Sequence, residues 1–250
     1  MVIFLIGLLI LIVGGALYGK FCEKVFGPDD RETPAVTMAD GVDYVVMKSW
    51  KNKLIELLNI AGTGPILGPI QGILFGPIAF ITIPIGCVLA GAVHDYFIGM
   101  ISMRNGGAQV PKMVKKYLGN ANLRIYTIII WLLMLLVGVV FIYTPGDLIV
   151  GDILGMDVKG TAIWIAYALI LLYYVLSTIF PIDQIIGRIY PVFGAILIIS
   201  AIGVFAGVLF DGGVNLADLS GGLLMKHPKG QSFIPVFFIT VACGIMSGFH

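Results

Sequence analysis

The amino-acid sequence predicts an all-α polytopic membrane protein with about seven transmembrane helices. Hydrophobic residues make up 59% of the 250 positions, charged residues only 12%, and the mean hydropathy is +1.03. Soluble globular domains are about 45–50% apolar and about 25% charged, so this composition indicates a chain that lies in a lipid bilayer. The net charge of +1 and the lack of a basic run argue against a nucleic-acid partner, which requires clustered Lys and Arg.

Seven apolar runs are long enough to cross the hydrocarbon core, which takes about 20 residues of helix. The first run could be a secretory signal, but no Lys or Arg precedes it and it has no convincing cleavage site, so we expect a membrane helix there. In chain order the predicted spans are Val2–Gly19, Leu54–Phe75, Gly76–Met103, Ile125–Pro145, Thr161–Phe180, Ile189–Phe210 and Ser232–His250.

The 15 Lys and Arg residues all lie between these spans, so the positive-inside rule can be applied as a count. With every span crossing, 12 of them fall on one side of the membrane and three on the other. If the second span dipped in and returned, the split would be nine against six, which explains the charge less well. The count therefore predicts an N-terminus outside and cytoplasmic loops at 20–53 and 104–124.

The second span is interrupted by the segment NIAGTGPILGP, residues 59–69. Gly opens unusual backbone conformations and Pro removes a donor, so we expect Ala61–Pro65 to leave helical hydrogen bonding. Gly64, Gly68, Gly72 and Gly76 also recur every fourth residue, which places them along one helix face. Two interpretations stay open: close packing with an ordinary kink, or an unwound segment that is buried in protein or lines a wet cavity.

The last span carries a second interruption, CGIMSGFH at residues 243–250. By the charge count it runs opposite to the first broken span, and four ordinary spans separate the two. This is the pattern of an inverted five-helix repeat in a broken-helix transporter. The predicted organisation is an extra helix at 1–19, a cytoplasmic loop at 20–53, a first five-helix repeat at 54–210, an outer loop at 211–231 and the start of a second repeat at 232–250.

Four segments around these features resemble one protein family. They are DGVDYVVMKSW at 40–50, LNIAGTGPILGPIQGILFGP at 58–77, GCVLAGAVHDYFIGMISMRNGGA at 86–108 and the terminal CGIMSGFH. Together they are similar to the N-terminal domain of the carbon starvation protein A family, over most of the chain. The resemblance implies an inner-membrane carrier for peptides or pyruvate in the carbon starvation response, with proton coupling in the pyruvate branch. It also implies a LeuT-like fold with a five-plus-five inverted repeat.

The sequence departs from the family pattern in two places. Longer members carry Gly-His-His-Phe just before the IAG-x-GP segment, where this chain has Lys53, Leu54, Ile55 and Glu56, so no role of those histidines carries over. The family motif also continues beyond His250, and members are much longer. We therefore expect about half of a transporter, which needs a complementary C-terminal half as its partner in order to transport.

The interrupted second span supplies the predicted substrate site. A discontinuous helix offers N–H groups and a positive dipole end to an anion, so a substrate carboxylate is expected to bind there, facing the interrupted last span. The predicted binding residues are Ala61, Gly62, Thr63, Gly64, Ser247 and Gly248.

Ionisable side chains inside predicted spans are candidates for ion coupling or gating. They are Glu56, His94, Asp95 and His250. His94 lies roughly 27 Å into its span at about 1.5 Å per residue, so a polar helix end satisfied by Arg104 or by a loop is an open alternative. For Glu56, two residues into its span, the alternative is a plain interfacial carboxylate.

The leading hypothesis is a secondary active transporter that moves pyruvate or a short peptide with a coupling ion, expected to be a proton. A channel and a membrane enzyme with an intramembrane metal are the alternatives. The sequence has no phosphate-binding loop, metal-ligand spacing or nucleophile elbow, so we expect no enzymatic activity, cofactor or bound metal. Cys87 and Cys243 lie in apolar spans and are interpreted as packing thiols. The choice between pyruvate and peptide, and between proton and sodium, stays open.

Overall fold

The structure, a computed structural model, describes residues 2–41, 44–179, 182–210 and 222–245, and these form helices and loops without a strand. The helices include three π-helical turns, at Ile10–Gly14, Cys87–Gly91 and Leu148–Ile153, and a separate 3-10 turn lies at Ile73–Phe75. The helices in chain order are α1 (Val2–Phe26), α2 (Pro34–Thr37), α3 (Ser49–Ile60), α4 (Thr63–Gly72), α5 (Ala79–Arg104), α6 (Val110–Ile153), α7 (Thr161–Ile179), α8 (Ile182–Phe210) and α9 (Phe233–Ile245).

Four of these helices, α1, α5, α6 and α7, are long and apolar enough to cross a membrane. The bent pair of α3 and α4 adds a fifth if it forms one span, while α9 and residues Pro191–Gly207 of α8 are apolar but shorter. The prediction of an all-helical polytopic membrane protein is therefore confirmed. The count of seven spans requires the bent pair and both shorter helices to cross as well, and it stays a prediction.

Two helix ends differ from the predicted spans. The first helix continues past Gly19 to Phe26, where Gly27 takes a left-handed conformation (φ +63°) and donates its N–H to the Glu23 carbonyl at 2.9 Å. Hydropathy placed the end at Gly19 because polar residues follow it, yet a helix can continue beyond the hydrocarbon. The third predicted span began at Gly76, but Gly76 lies in a turn with φ +110° and α5 starts at Ala79.

The chain divides into two compact units. The first unit comprises residues 1–108 and 191–250, and the second comprises residues 109–190. The boundary at Pro191 falls within α8. The predicted division at residues 19, 53, 210 and 231 followed the membrane topology, whereas these units follow the contacts between helices.

In the first unit, α9 packs against α4 and α5. The buried centre of this packing consists of Phe75, Ala79, Phe237 and Val241. Helix α1 also approaches α5, so closely that a Cβ on Gly7 would lie 2.3 Å from the Phe80 carbonyl oxygen. The first unit is thus built from helices that lie far apart in the sequence.

In the second unit, α6 and α7 form a hairpin joined by polar contacts. The Tyr167 hydroxyl donates to the Asp147 carboxylate at 2.8 Å, and the Tyr174 hydroxyl donates to the Phe141 carbonyl at 3.0 Å. Near its start, α6 is kinked at Gly119, whose φ of +83° and ψ of 176° are not helical. The 44 residues of α6 would span about 66 Å as one straight helix at about 1.5 Å per residue, so the kink separates a short first segment from the membrane-crossing part.

Candidate functional site

The broken span predicted from the sequence is present as two helices that meet at Ala61 and Gly62. The axes of α3 and α4 are bent by 51°. Ala61 has ψ +53° and Gly62 is extended, with ψ −177°. The expectation that Thr63, Gly64 and Pro65 also leave the helix is wrong, because they form the first turn of α4. Pro65 fits there since the first-turn N–H groups of a helix have no acceptor within the helix.

The break changes which backbone groups are paired. The Gly62 N–H donates to the Ile60 carbonyl at 2.7 Å, and the Gly62 carbonyl accepts from the Ile66 N–H at 3.3 Å. The N–H groups of Thr63 and Gly64 belong to the first turn of α4, where the positive end of the helix dipole lies. This end of α4 therefore has the donors and the polarity that an anion requires.

The glycine face of α4 contacts α9 directly. A Cβ on Gly68 would lie 2.8 Å from both Cys243 Cβ and the Thr240 carbonyl oxygen, and a Cβ on Gly64 would lie 3.8 Å from the Cys243 carbonyl oxygen. Gly72 also faces Thr240, with a Cβ distance of 3.4 Å to its hydroxyl. The glycines therefore pack against α9, and the helix is broken immediately before them, while a wet cavity at the break stays a prediction.

The π-helical turn of α5 contacts the same part of α9. The Cys87 thiol lies 3.6 Å from the Gly244 carbonyl oxygen, and a Cβ on Gly91 would lie 2.9 Å from the Ile245 carbonyl oxygen. The sequence analysis missed this contribution, although Gly86 and Gly91 flank the turn. Such turns are frequent at functional sites. The last described turn of α9 therefore lies between the start of α4 and the π-helical turn of α5.

The other predicted site residues are placed only in part. Ser247, Gly248 and His250 lie outside the described residues. Thr63 and Gly64 begin α4, and the residue of α9 that lies against Gly64 is Cys243. Binding of a substrate at these positions stays a prediction.

The coupling candidates lie on α3 and α5. His94 Nδ1 and the Asp95 carboxylate are 3.0 Å apart, with side chains that are 40% and 36% exposed. Glu56 is exposed on α3. Arg104, which was considered as a partner for His94 and Asp95, donates to the Gly27 carbonyl at 2.8 Å and stacks on Phe26 at 4.1 Å. A coupling role for Glu56, His94 or Asp95 stays a prediction.

Two motif segments that the sequence analysis treated separately lie in contact. The Tyr44 hydroxyl, in the DGVDY segment, donates to the Gly106 carbonyl at 2.8 Å, in the RNGGA turn after α5. Asp40 supports this contact by accepting the Tyr44 N–H at 2.8 Å. A Cβ on Gly107 would lie 3.1 Å from the Tyr44 ring. The loop after α1 is thus joined to the end of α5.

Across the described ranges, no group of three His, Cys, Asp or Glu residues is placed to hold a metal ion.

Comparison with known proteins gives a family and named relatives. A protein of Haemophilus influenzae named an uncharacterized membrane protein is 42% identical over 96% of this chain and 77% of its own length. Peptide transporter CstA of Campylobacter jejuni is 27% identical over 96% of this chain, but over only 43% of its own length. The pyruvate/proton symporter BtsT of Escherichia coli is 37% identical over 39% of this chain and 14% of its own length.

No solved structure matches the chain. The relatives named for a function are transporters and not enzymes. The family model described as Carbon starvation protein CstA matches residues 1–204, and these include the broken span and the packed glycines. The chain therefore belongs to the carbon starvation protein CstA family, as a multi-pass membrane protein.

Proposed function

We propose that this chain forms the substrate-binding half of a secondary active transporter for a small carboxylate-bearing solute, either a short peptide or pyruvate. The observation that carries the proposal is the break at Ala61 and Gly62, which leaves the first N–H groups of α4 beside the last described turn of α9. A helix N-terminus binds carboxylates through its N–H groups and dipole. The names of the relatives, peptide transporter and pyruvate/proton symporter, support the same substrate class.

The finer parts of the proposal follow from the sequence. The protein lies in the inner membrane, acts in the carbon starvation response and couples uptake to a proton, with Glu56, His94, Asp95 and His250 as coupling or gating candidates. The substrate lies between Ala61–Gly64 and Ser247–Gly248. The helices form the first repeat of a five-plus-five inverted repeat, and a complementary C-terminal half is the partner that completes the transport path. The N-terminus is outside and loops 20–53 and 104–124 are cytoplasmic.

The substitution Thr63→Pro tests the site with little change to the backbone. Position 63 is the first residue of α4, where Pro is tolerated because its missing N–H has no helical acceptor. The preceding Gly62 is extended, which is the conformation that a following Pro requires. Thr63→Pro thus removes one N–H donor, and Thr63→Ala is the matched control because it changes the side chain and keeps the N–H group.

The measurement is uptake of labelled pyruvate and of labelled dipeptides in proteoliposomes, with pH and sodium gradients imposed separately and the complementary C-terminal half supplied. A hydrogen bond to a charged group contributes about 1.5–3 kcal/mol, so Thr63→Pro should raise the KM for uptake by at least about tenfold. Thr63→Ala should stay within about twofold of the parent. Equal KM values for the Pro and Ala variants would refute carboxylate binding at this helix end.

Orientation is tested by cysteine labelling. Lys112→Cys, placed in a chain without its native cysteines, should react with an impermeant maleimide only from the cytoplasmic face. Reaction from outside would overturn the predicted topology without bearing on the substrate site.

A further inference from the structure

A cavity lies outside the broken span, at the segment that leads into α9. It has a volume of about 540 Å³ and lies between the end of α4 and residues 224–233. Cavities of about 300–1,000 Å³ are typical of sites for small molecules. Its lining residues are Phe75, Leu224, Met225, Lys226, His227, Gly230, Gln231 and Phe233.

The segment that forms this cavity is fixed to the turn between α4 and α5. The Met225 N–H donates to the Phe75 carbonyl at 2.8 Å, and the Ile78 N–H donates to the Leu223 carbonyl at 3.1 Å. Gly76 is required between them, since a Cβ there would lie 2.7 Å from the Leu223 carbonyl oxygen. Two hydrogen bonds and a close backbone contact thus hold one wall of the cavity against the turn between α4 and α5.

His227 is the unusual residue of this wall. Its side chain lies against Phe75, with ring centroids 4.7 Å apart, and the residue is only 6% exposed. Its Nδ1 accepts the Lys229 N–H at 3.1 Å. Since a backbone N–H can only donate, Nδ1 carries no proton in the neutral ring and the proton lies on Nε2. Among the described residues the buried Nε2 has no hydrogen-bond partner, so His227 presents an unsatisfied donor there.

The polar lining of the cavity favours an anion. Lys226 supplies a positive charge, and Gln231 supplies amide donors. Among the described lining residues none is acidic, while Phe75, Phe233, Leu224 and Met225 supply apolar walls. A buried donor without a partner is costly, so a ligand that brings an acceptor next to His227 gains from satisfying it. The matching ligand has a carboxylate at one end and an apolar body.

We propose that this cavity is a second binding site for the solute, taking a short apolar peptide through its C-terminal carboxylate. The proposal rests on the proposed function for the identity of its ligand, but it concerns residues that lie outside the broken span. Lys226 and Gln231 contact the carboxylate, and His227 donates its Nε2 proton to it after a small adjustment of the ring. The volume suits a dipeptide with an apolar side chain better than pyruvate, which would leave most of the cavity empty.

The test is a binding measurement on the full chain in lipid nanodiscs. The probes are alanyl-phenylalanine and its C-terminal amide, which differ only in the carboxylate. The chain has three histidines, so ¹⁵N-histidine labelling gives few ring signals, and the signal of His227 is assigned by its loss in His227→Gln. The acid should shift the Nε2 signal of His227 on titration, and the amide should bind at least tenfold more weakly.

Two lysine variants make the test specific. Lys226→Met should weaken binding of the acid, followed at the His227 signal, by at least tenfold. Lys229→Met should leave it within twofold, because the Lys229 side chain does not line the cavity. Thr63→Pro, which lies outside the cavity, should also leave the affinity of the acid measured at the His227 signal unchanged. A His227 signal that does not respond to the acid, or equal affinities of the parent and Lys226→Met, would overturn the proposal.

Parallel uptake measurements separate this proposal from the proposed function. If gradient-driven uptake persists but the His227 signal does not change when the dipeptide is added, the binding site in the cavity is rejected and the transporter function is retained. Specific binding at the cavity without any gradient-driven uptake would reject the transporter and retain the cavity as a carboxylate site.

Discussion

The contact between α4 and α9 differs in kind from the contact between α6 and α7. In the first, glycines bring two backbones together, and Gly68 faces Cys243 and Thr240 with no room for a methyl group. In the second, a tyrosine hydroxyl joins the helices by donating to Asp147. The glycine contact depends on shape and the tyrosine contact on a polar pair, so the two should respond differently to substitution.

The largest effect is expected at Gly68. A Cβ there would meet the Thr240 carbonyl oxygen at 2.8 Å and the Gly244 nitrogen at 3.0 Å, and backbone atoms cannot move aside as a side chain can. Gly68→Ala should therefore lower the free energy of unfolding by about 2–3 kcal/mol. Chemical unfolding in detergent micelles measures this.

The matched control for that experiment is Gly138→Ala in α6. A Cβ on Gly138 would have no atom within 4 Å, so Ala should be neutral or stabilising by up to about 1 kcal/mol through its helix propensity. If both variants unfolded at the same denaturant concentration, Gly68 would not be in close contact with α9.

An intermediate effect is expected at Tyr167. Tyr167→Phe removes the hydroxyl that donates to Asp147 and leaves the ring in place, so the second unit should lose about 1.5 kcal/mol of stability. Tyr173→Phe is the control on the same helix, since Tyr173 is 48% exposed and a Phe there should cost under about 0.5 kcal/mol. The measurement is the thermal stability of the two variants compared with that of the parent. A Tyr167→Phe variant as stable as the control would mean that the hydrogen bond from Tyr167 to Asp147 does not stabilise the hairpin.

The sequence predicted the structural class of the chain and the position of the helix break. It did not predict the individual residue contacts between the helices. Apolar runs and the Gly and Pro residues near position 62 carry a local signal, because they determine backbone conformation directly. The sequence predicted that the two interrupted spans face each other, but the packing of Gly68 against Cys243 joins residues that lie far apart in the chain, and no local pattern specifies which residues of the two helices meet. Tyr167 and Asp147 gave no periodic signal at all, since a single polar pair in an apolar span has no repeat.

The helix ends show a different limit. Hydropathy ended α1 at Gly19, but hydrogen bonding continues to Phe26, because a helix does not require an apolar environment to persist. The break was expected to reach Pro65, yet the first turn of α4 tolerates that proline. Composition indicates where the lipid is, and capping residues such as Gly27 determine where the helix stops.

The smallest effect is expected at Tyr44. Its hydroxyl bonds to the Gly106 carbonyl between a loop and a helix end, where water can replace a lost partner. Tyr44→Phe should cost about 1 kcal/mol or less and leave the global unfolding midpoint nearly unchanged. Amide hydrogen exchange should be about fivefold faster in residues 33–41 and 105–108, and unchanged in α7. Equal exchange rates in the variant and the parent would show that Tyr44 does not hold the loop.

The kink at Gly119 is expected to place the first segment of α6 at the membrane surface. The kink at Gly119 turns the preceding helical segment, Val110–Leu118, away from the axis of the long apolar helix. That segment carries Lys112, Lys115 and Lys116, and in a bilayer we expect their ammonium groups to reach the headgroup phosphates while their methylene chains stay in the apolar layer. With φ +83°, Gly119 has a conformation that other residues rarely adopt, so a larger residue there should strain the kink and shift these lysines relative to the headgroups.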